Sequence, residues 1–527
     1  MMKKRFEVYR RKILIENVKN FWRLFRKRKM GIAGLCLLVF FSMLAILAPF
    51  IAPYDPIGSA GLYLAEPVAS PEWMAIFPAY RDLPRSAIHS ITPNEWNQSV
   101  TGRQDLVKIS RDAYVTISYE NAEPKKGTPL LSPEPTKPTA SITLKSKLIN
   151  YPYEPCKTFH VSFRINITNY TPYDMVEIDG VPSWAGLRLR LFINITRASD
   201  EGSYILFPIE KKHEWFDESF SAWDYPLTIY SDHFVLLDKN LISGIGENLA
   251  THVFKEKGEY YLNIFVQIYD LGYEGRNPKL EVSITPVKIE VKGLLFGLLG
   301  TNYQGQDIWS QFVWGSRVSL TVGIFAALIV VVIGTVVGTI AGYKGGIADQ
   351  ALVFTADTIY LIPTLPLILL IMMIVKYRPP PFPIIYIIIV VIALFAWSGL
   401  ARQLRAWILS LRERAFVEAA RSVGVSDFSI MFKHILPQTV PLLMYSFVLS
   451  IPGAIVLEAS LSILGFGDPF LASWGKILNE CLHGAAFYVG AWWWILPPIA
   501  GIMFLCLGLV FIGFTLDEIL NPRLRKR

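Results

Sequence analysis

The sequence lacks the short motifs that mark common enzyme active sites. It has no Gly-x-x-x-x-Gly-Lys-Ser/Thr phosphate loop, no Cys and His residues at zinc-ligand spacing and no nucleophile elbow. We therefore expect no catalytic residues, no metal and no cofactor in this chain. We also expect that it does not bind ATP itself.

Cysteine is scarce, with only four in 527 residues. Cys36 and Cys506 lie in apolar runs and are predicted to be packing residues. Cys156 and Cys481 lie in segments that can both face outward, and two dispersed cysteines leave open whether they form a disulfide.

Charge is also low: 18% of the residues are charged and 52% are hydrophobic. This composition indicates a membrane part joined to a sizeable aqueous domain. The net charge of +8 is concentrated at both ends and in one internal loop. Orientation in a membrane explains such clusters better than nucleic-acid binding does, so no nucleic-acid partner is expected.

Six apolar runs are long enough to cross a bilayer, which takes about 20 helical residues. They are 30–53, 318–342, 351–375, 382–400, 438–458 and 492–515. The segment 1–29, the loop 401–437 and the C-terminal tail are rich in Lys and Arg, which places them in the cytoplasm. The segment 54–296 and the loop 459–491 are then exterior. Trp492, Trp493 and Trp494 are predicted to anchor the outer edge of the sixth span.

The segment 54–296 has no run that could span a membrane. Apolar and polar residues alternate with a period of two along four stretches: 158–168, 186–196, 258–270 and 279–292. This pattern predicts an extracellular antiparallel β-sandwich. Candidate glycosylation sites, which fit an exterior location, are Asn97, Asn166, Asn169 and Asn194. A spacer, a shield or a docking surface would equally suit this domain.

The loop 401–437 reads as two short helices. The first ends near Gly424, which accepts a positive φ without strain. Ser426 or Asp427 is predicted to cap a second helix, which runs to about Ile435 before Pro437 breaks it. This second helix would place one apolar side toward a groove on a partner: Phe428, Met431, Phe432 and Ile435. An ordinary amphipathic loop at the membrane surface is the alternative.

The residue order of this loop resembles the Glu-Ala-Ala motif of ABC-importer permeases. Glu418-Ala419-Ala420 is followed by Gly424 and then by His434-Ile435-Leu436-Pro437. Other segments resemble the second permease of dipeptide and oligopeptide importers, the OppC/DppC-like family: 51–56, 299–307, 315–320, 458–467 and 521–525.

The resemblance implies a mainly α-helical membrane protein of the type I ABC importer kind, with six transmembrane helices. It also implies several partners, namely a second permease subunit (OppB/DppB-like), two ATPase subunits that carry ATP and Mg, an extracellular solute-binding protein and membrane lipid. ATP binding would move a coupling helix near 418–436. The residues expected to transmit this movement are Glu418, Ala419, Ala420, Gly424, Leu436 and Pro437.

Five further residues are candidates for the solute pathway or its gate. They are Asp357, Pro363, Pro366, Glu458 and Trp474. The two prolines are predicted to bend or break the third span, and broken helices often line cavities. Glu458 is predicted to cap a re-entrant loop rather than to line the pathway.

The sequence departs from the family in two places. Asn302 and Gln306 stand where the family usually has Asp and Arg, so no salt bridge is expected between them. The family also has a short outer segment where this chain has residues 54–296, and the resemblance implies nothing about this insert.

The resemblance favours peptides as the solute, while oligosaccharides or nickel are alternatives within the same family. A membrane-anchored surface receptor and an ion-coupled secondary transporter are alternatives of other classes. The receptor does not explain five further spans, and the secondary transporter should show internal repeats. The candidate glycosylation sites and scarce cysteines suit a prokaryotic, archaeal cell surface.

Overall fold

A computed structural model of the chain describes residues 16, 19–58, 61–124, 128–129, 137–171, 174–199, 202–207, 223–230, 250, 253–272 and 277–520. Most of the basic N-terminal segment and the C-terminal tail lie outside the described residues. The chain divides into a helical unit, Met1–Leu62 with Leu299–Arg527, and a β unit, Tyr63–Leu298.

The insert of the β unit is shorter than the predicted 54–296, because residues 54–58 are held by a helix of the helical unit. The backbone N–H of Tyr54 donates to Ser310 Oγ at 3.3 Å. The side chain of Gln311 donates to the carbonyl oxygen of Pro56 at 3.2 Å.

The helical unit is built from helices α1 Lys29–Ile46, α2 Ala48–Ile51, α3 Ile308–Lys344, α4 Gly346–Leu361, α5 Thr364–Tyr377, α6 Ile384–Arg412, α7 Ala415–Ser422, α8 Asp427–Ser429, α9 Leu436–Ile463, α10 Trp474–His483 and α11 Trp492–Leu520. Residues Ile430–Ile435 are π-helical and join α8 to α9. Among the described residues, five helices are long and apolar enough to cross a membrane: α1, α3, α6, α9 with the turns before it, and α11.

The third predicted span, 351–375, is not one helix. α4 and α5 bend by 82° at the break between them, and they make a sixth span only if the bent pair counts as one. Pro363 precedes the first residue of α5, where its missing N–H is tolerated and its ring prevents α4 from continuing. Pro366 lies in the first turn of α5 and adds no second break.

Two other spans extend well past their apolar runs. α3 begins at Ile308, ten residues before the predicted start. Asp307 caps it there, since the Asp307 carboxylate accepts from the backbone N–H of Ser310 at 2.9 Å. α6 continues to Arg412, because a helix can leave the bilayer without ending where its apolar run ends.

Small residues let the helices of this unit approach closely. A Cβ on Gly34 of α1 would lie 2.4 Å from the carbonyl oxygen of Gly508 in α11. A Cβ on Gly338 of α3 would lie 2.7 Å from the carbonyl oxygen of Ala401 in α6. Such glycines are typical of membrane helix interfaces, where backbone proximity increases van der Waals contact.

The β unit consists of strands β1 Ala87–Ile91, β2 Asn97–Gly102, β3 Val107–Arg111, β4 Val115–Glu120, β5 Thr128–Pro129, β6 Ala140–Lys145, β7 Ile149–Tyr151, β8 Thr158–Thr168, β9 Asp174–Ile178, β10 Val181–Ala185, β11 Leu187–Arg197, β12 Ser203–Phe207, β13 Trp223–Tyr230, β14 Gly258–Asp270, β15 Lys279–Ile284 and β16 Val287–Lys292. One sheet has the order β1-β16-β8-β15-β4-β3, with β13 also paired to β8. A second has the order β12-β11-β14-β6-β2, with β7 paired to β14, and β5-β10-β9 form a small third sheet.

The inward residues of the two larger sheets form one buried core. Val161 and Ile165 of β8 belong to the same buried cluster as Leu189 of β11 and Ile264 of β14. The predicted period-two strands at 158–168 and 258–270 are confirmed by β8 and β14. The stretch 186–196 becomes β11 with a shift of one residue.

The predicted strand 279–292 is instead two strands, β15 and β16. They are separated at Thr285 and Pro286. Proline cannot donate to the ladder, so continuous pairing with β8 is interrupted here. The side chain of Thr285 fills the gap by accepting from the backbone N–H of Arg164 at 2.8 Å.

All four cysteines are free. Cys156 is buried in the β unit and Cys481 in the helical unit, so the prediction that both can face outward is wrong. Cys36, predicted to pack, is exposed on α1, since a helix that is apolar all round can place a thiol toward lipid.

The four candidate glycosylation sites differ in exposure. Asn97 and Asn169 are exposed, whereas Asn166 and Asn194 are half-buried. The Asn194 amide donates to Ser203 Oγ at 2.6 Å, and its oxygen accepts from Asn263 at 2.9 Å. By exposure, Asn97 and Asn169 are the stronger candidates.

Candidate coupling segment and outer loop

The coupling segment, residues 415–437, begins with α7 and a complete Schellman turn. The backbone N–H of Val425 donates to the carbonyl of Ala420 at 3.1 Å. The N–H of Gly424 donates to the carbonyl of Arg421 at 3.0 Å. These bonds satisfy the last carbonyls of α7 and reverse the chain within two residues.

Gly424 makes this reversal possible. Its φ is +79°, as predicted, and no atom lies within 4 Å of the place where a Cβ would be. The requirement for glycine is therefore conformational rather than steric.

The second half of the segment does not end at Pro437. Ser426 caps α8 by accepting from the backbone N–H of Ser429 at 3.4 Å. The chain then continues through the π turn Ile430–Ile435 into α9, with Pro437 in the first turn of α9. The predicted break is wrong, because the wider π turn precedes the proline and a proline is tolerated where no helical N–H is needed.

The π turn also rotates the predicted apolar side. Met431 and Ile435 are buried together with Ile430, whereas Phe428 is 69% exposed and Phe432 is 36% exposed. The two exposed rings lie with their centroids 4.5 Å apart. The prediction that Phe428, Met431, Phe432 and Ile435 share one side is therefore wrong: two face inward and two form an exposed aromatic pair.

Tyr343, at the end of α3, ties the coupling segment to the spans. Its hydroxyl donates to Asp427 Oδ1 at 2.6 Å, and Arg421 Nη2 donates to the same hydroxyl oxygen at 3.4 Å. Sequence reasoning did not identify Tyr343. No sequence motif marks the contact, because the partners are 84 positions apart.

Four of the six predicted coupling residues are exposed on the surface of this segment. Glu418, Ala419, Gly424 and Pro437 are exposed, whereas Ala420 and Leu436 are half-buried. Within the described part of the chain, no cation forms an ion pair with the Glu418 carboxylate. A partner for Glu418 would therefore have to come from outside these residues.

Two acid–arginine pairs hold α4 against α6. Arg405 binds Asp349 through two hydrogen bonds, Nε to Oδ1 at 2.5 Å and Nη2 to Oδ2 at 2.6 Å. Arg402 Nε lies 3.3 Å from Asp357 Oδ1. The Asp357 side chain is 43% exposed, so the pathway candidate Asp357 lies at an exposed edge of the pair of helices.

The two remaining pathway candidates, Glu458 and Trp474, lie in α9 and α10 on either side of the loop that joins these helices. Glu458 is buried, and its Oε1 accepts from Ser462 Oγ at 2.7 Å. Trp474 is fully buried, stacks on Phe312 at 5.7 Å and donates from Nε1 to the Phe312 carbonyl at 2.9 Å. Trp474 therefore packs inside the helical unit, and its role in a solute pathway stays a prediction.

Only one of the three predicted tryptophan anchors reaches the surface. Trp492 is 45% exposed, whereas Trp493 is 7% and Trp494 is 0% exposed. The Trp494 ring lies 6.2 Å from the ring of Tyr303. Trp492 is thus the side chain available to the membrane interface, and its neighbours pack inside the unit.

A neutral amide cluster occupies the place of the family's Asp and Arg. Asn302 Nδ2 donates to Gln306 Oε1 at 2.8 Å and to Glu480 Oε2 at 2.9 Å. Gln311 Nε2 also donates to Gln306 Oε1, at 3.1 Å. Burial raises the pKa of Glu480, and the hydrogen bond from Asn302 opposes this rise only partly.

The family matches agree with this arrangement of spans and loop. Residues 334–526 match the family described as "Binding-protein-dependent transport system inner membrane component". Residues 18–65 match "N-terminal TM domain of oligopeptide transport permease C". The oligopeptide transport system permease protein OppC of Bacillus subtilis is 31% identical over 228 residues, which are 43% of this chain and 72% of the relative. The chain belongs to the OppC/DppC-like permease family.

Another relative of this permease is the dipeptide transport system permease protein DppC of Bacillus subtilis. It is 34% identical over 229 residues, which are 43% of this chain and 69% of the relative. A solved structure of the inward-facing MetNI methionine ABC transporter aligns with 41% of this chain and 97% of that chain, with 18% identity and a TM-score of 0.31.

The chain is thus a multi-pass cell membrane protein and the permease subunit of an ABC importer. Residues 66–333 lie outside both family matches. This range contains most of the β unit, which is compatible with an inserted domain.

Proposed function

We propose that this permease moves peptides inward, together with a second permease subunit, two ATPase subunits and a solute-binding protein. The names of its relatives, which are oligopeptide and dipeptide transport permeases, support the peptide solute. ATP and Mg act on the ATPase subunits in this proposal, and this chain contributes the moving spans.

The exposed pair Phe428 and Phe432 is the observation that supports coupling most directly. Two exposed aromatic rings on a short helical turn suit insertion into a groove of a partner protein. Beneath them, Ile430, Met431 and Ile435 pack with Leu404, Ile408 and other residues at the ends of the spans. A push on the rings would therefore be transmitted to α3, α6 and α9.

The two rings suggest a test with a matched control. Reconstituted complexes carrying Phe428→Ala with Phe432→Ala should lose most peptide-stimulated ATP hydrolysis and uptake of labelled peptide. Phe40→Ala is the control, because Phe40 is 56% exposed on α1 and also belongs to an aromatic pair. Unchanged coupling in the double variant would contradict the role of the pair, and uptake of oligosaccharides but not peptides would contradict the solute.

The same proposal places the coupling segment in the cytoplasm and the β unit outside. The basic residues of the loop 401–437 favour this orientation. A membrane-impermeant maleimide added to intact cells should label Asn97→Cys and not Ser422→Cys, in a background in which Cys36 is replaced by Ala. Both positions are exposed, so the reverse labelling pattern would show that the orientation is wrong.

A further inference from the structure

A cavity of about 790 Å³ lies at the end of α9 that is far from the coupling segment. We call it the outer pocket. Its walls are the end of α5, the loop 378–383, the start of α6, the loop 464–473 and the start of α10. α9 has 28 residues, so at a rise of about 1.5 Å per residue the pocket and the coupling segment are separated by roughly the thickness of a bilayer.

Two lysines line the outer pocket, and each donates a hydrogen bond to a backbone carbonyl. Lys376 Nζ donates to the carbonyl of Gly465 at 2.9 Å. Lys476 Nζ donates to the carbonyl of Pro469 at 2.6 Å. Among the described residues, no carboxylate forms an ion pair with either ammonium group. Each ammonium has three N–H donors, so each retains donors for a ligand.

The two carboxylates near Lys476, those of Asp468 and Glu480, already accept hydrogen bonds from other groups. Asp468 accepts from the backbone N–H groups of Phe470 at 2.9 Å and Ile385 at 3.2 Å. Glu480 accepts from Asn302 at 2.9 Å. Burial lowers the pKa of Lys476, which the charges of Glu480 and Asp468 only partly oppose. Among the described residues neither carboxylate forms an ion pair with Lys476, so its ammonium group keeps N–H donors for an arriving anion.

The rest of the outer pocket is largely apolar. Phe470 is 82% exposed and Phe382 is 49% exposed at its rim. The Lys376 ammonium lies 5.5 Å from the centroid of the Phe466 ring, within the range of a cation–π contact. A carboxylate attached to an apolar side chain matches such a site, because the cations bind the charge and the rings bind the side chain.

We propose that the outer pocket binds the C-terminal carboxylate and last side chain of an incoming peptide, with Lys376 and Lys476 as the cationic partners. This inference rests on the proposed peptide function and names the part of the solute that the permease recognises. A cavity of about 790 Å³ has the size of a small-molecule binding site. It therefore fits a small solute better than the surface of a folded protein.

The test compares one peptide with a free C terminus and the same peptide with a C-terminal amide. Uptake by the reconstituted complex is measured for both at several concentrations, and the ratio of their uptake efficiencies is the readout. Because the same binding protein delivers both forms, its own preference cancels when the ratio in a variant is divided by the ratio in wild type.

Lys476→Met and Lys376→Met should each reduce the preference for the free acid by roughly tenfold, the effect expected from losing one charged hydrogen bond. Lys476→Arg should retain most of the preference, because it keeps the cation. Lys108→Met is the matched control, since Lys108 is an exposed lysine of the β unit. If Lys476→Met fails to assemble, the exposed Lys376 still provides the test.

Three results would overturn the inference. An equal ratio in wild type and both methionine variants, with peptide uptake preserved, rejects the pocket but not the peptide function. Equal loss of acid and amide uptake in both variants, with weaker docking of the binding protein, assigns the lysines to an acidic protein surface. A complex that transports other solutes and no peptide rejects the proposed function itself.

Discussion

The hydroxyl of Tyr343 donates to the Asp427 carboxylate at 2.6 Å and so joins the end of α3 to the start of α8. Removing it with Tyr343→Phe should leave the complex assembled but loosen the coupling segment. A hydrogen bond to a charged group contributes about 1.5–3 kcal/mol, so we expect peptide-stimulated ATP hydrolysis to fall several-fold relative to the basal rate. Tyr377→Phe, at an 85% exposed position, is the control. Equal stimulated-to-basal ratios in the two variants would show that this bond does not transmit movement.

Substitutions at Gly424 test the backbone conformation of the turn without a steric clash, because the position is open. Because its φ is +79° and its surroundings are open, Gly424→Ala should cost about 1 kcal/mol and keep partial coupling. Gly424→Pro should abolish coupling, since proline fixes φ near −65° and removes the N–H that Arg421 accepts. Gly399→Ala is the control, as it lies inside α6 with no atom near its Cβ position. Survival of solute-stimulated ATP hydrolysis in Gly424→Pro would reject the assignment of this turn.

The two pairs between α4 and α6 differ in exposure and should differ in energy. Asp349 is 14% exposed and bound bidentately, whereas Asp357 is 43% exposed. Asp349→Asn should lower the free energy of unfolding by about 2 kcal/mol, and Asp357→Asn by less than about 1 kcal/mol. Thermal unfolding of the purified protein, followed by tryptophan fluorescence, measures both. A larger effect at Asp357 would contradict the view that exposure governs these pairs.

Glu480 predicts a pH dependence of stability. Burial raises its pKa, so the folded state holds this proton to a higher pH than the unfolded chain does. The contribution of Glu480 to the free energy of unfolding is therefore fully present below its pKa in the unfolded chain. It is lost as the pH rises toward its pKa in the folded state. Glu480→Gln keeps an acceptor for Asn302 without the buried charge.

The melting temperature of wild type should therefore fall relative to Glu480→Gln as the pH rises above the ordinary pKa of a glutamic acid, and the difference should close at lower pH. Glu413→Gln, at an exposed position on the coupling side, should follow wild type throughout. A difference between wild type and Glu480→Gln that does not change with pH would show that Glu480 is not protonated by burial.

Local patterns predicted the parts of this fold that depend on neighbouring residues. The alternation along 158–168 and 258–270 predicted β8 and β14, because side chains alternate between the two faces of a strand. The positive φ of Gly424 followed from a helix-ending glycine in a polar loop. Pro363 predicted the break in the third span, since a proline ring opposes a continuing helix.

Other features depend on residues far apart in the chain, and only the tertiary structure decided them. The π turn before Pro437 buries Met431 and exposes Phe432, which a helical period of 3.6 cannot anticipate. Trp474 is buried against Phe312, 162 positions away in the chain. The outer pocket brings together Lys376 and Lys476 from two separate helices.

The sequence alone determined the class of this protein: apolar runs of bilayer length require helices in lipid, and the basic loop with its Glu-Ala-Ala order identifies a permease. The tertiary structure decided which side chains remain available for partners and solute. Helices that are far apart in the sequence pack together and cover some of each other's side chains. No local sequence pattern shows which side chains stay exposed.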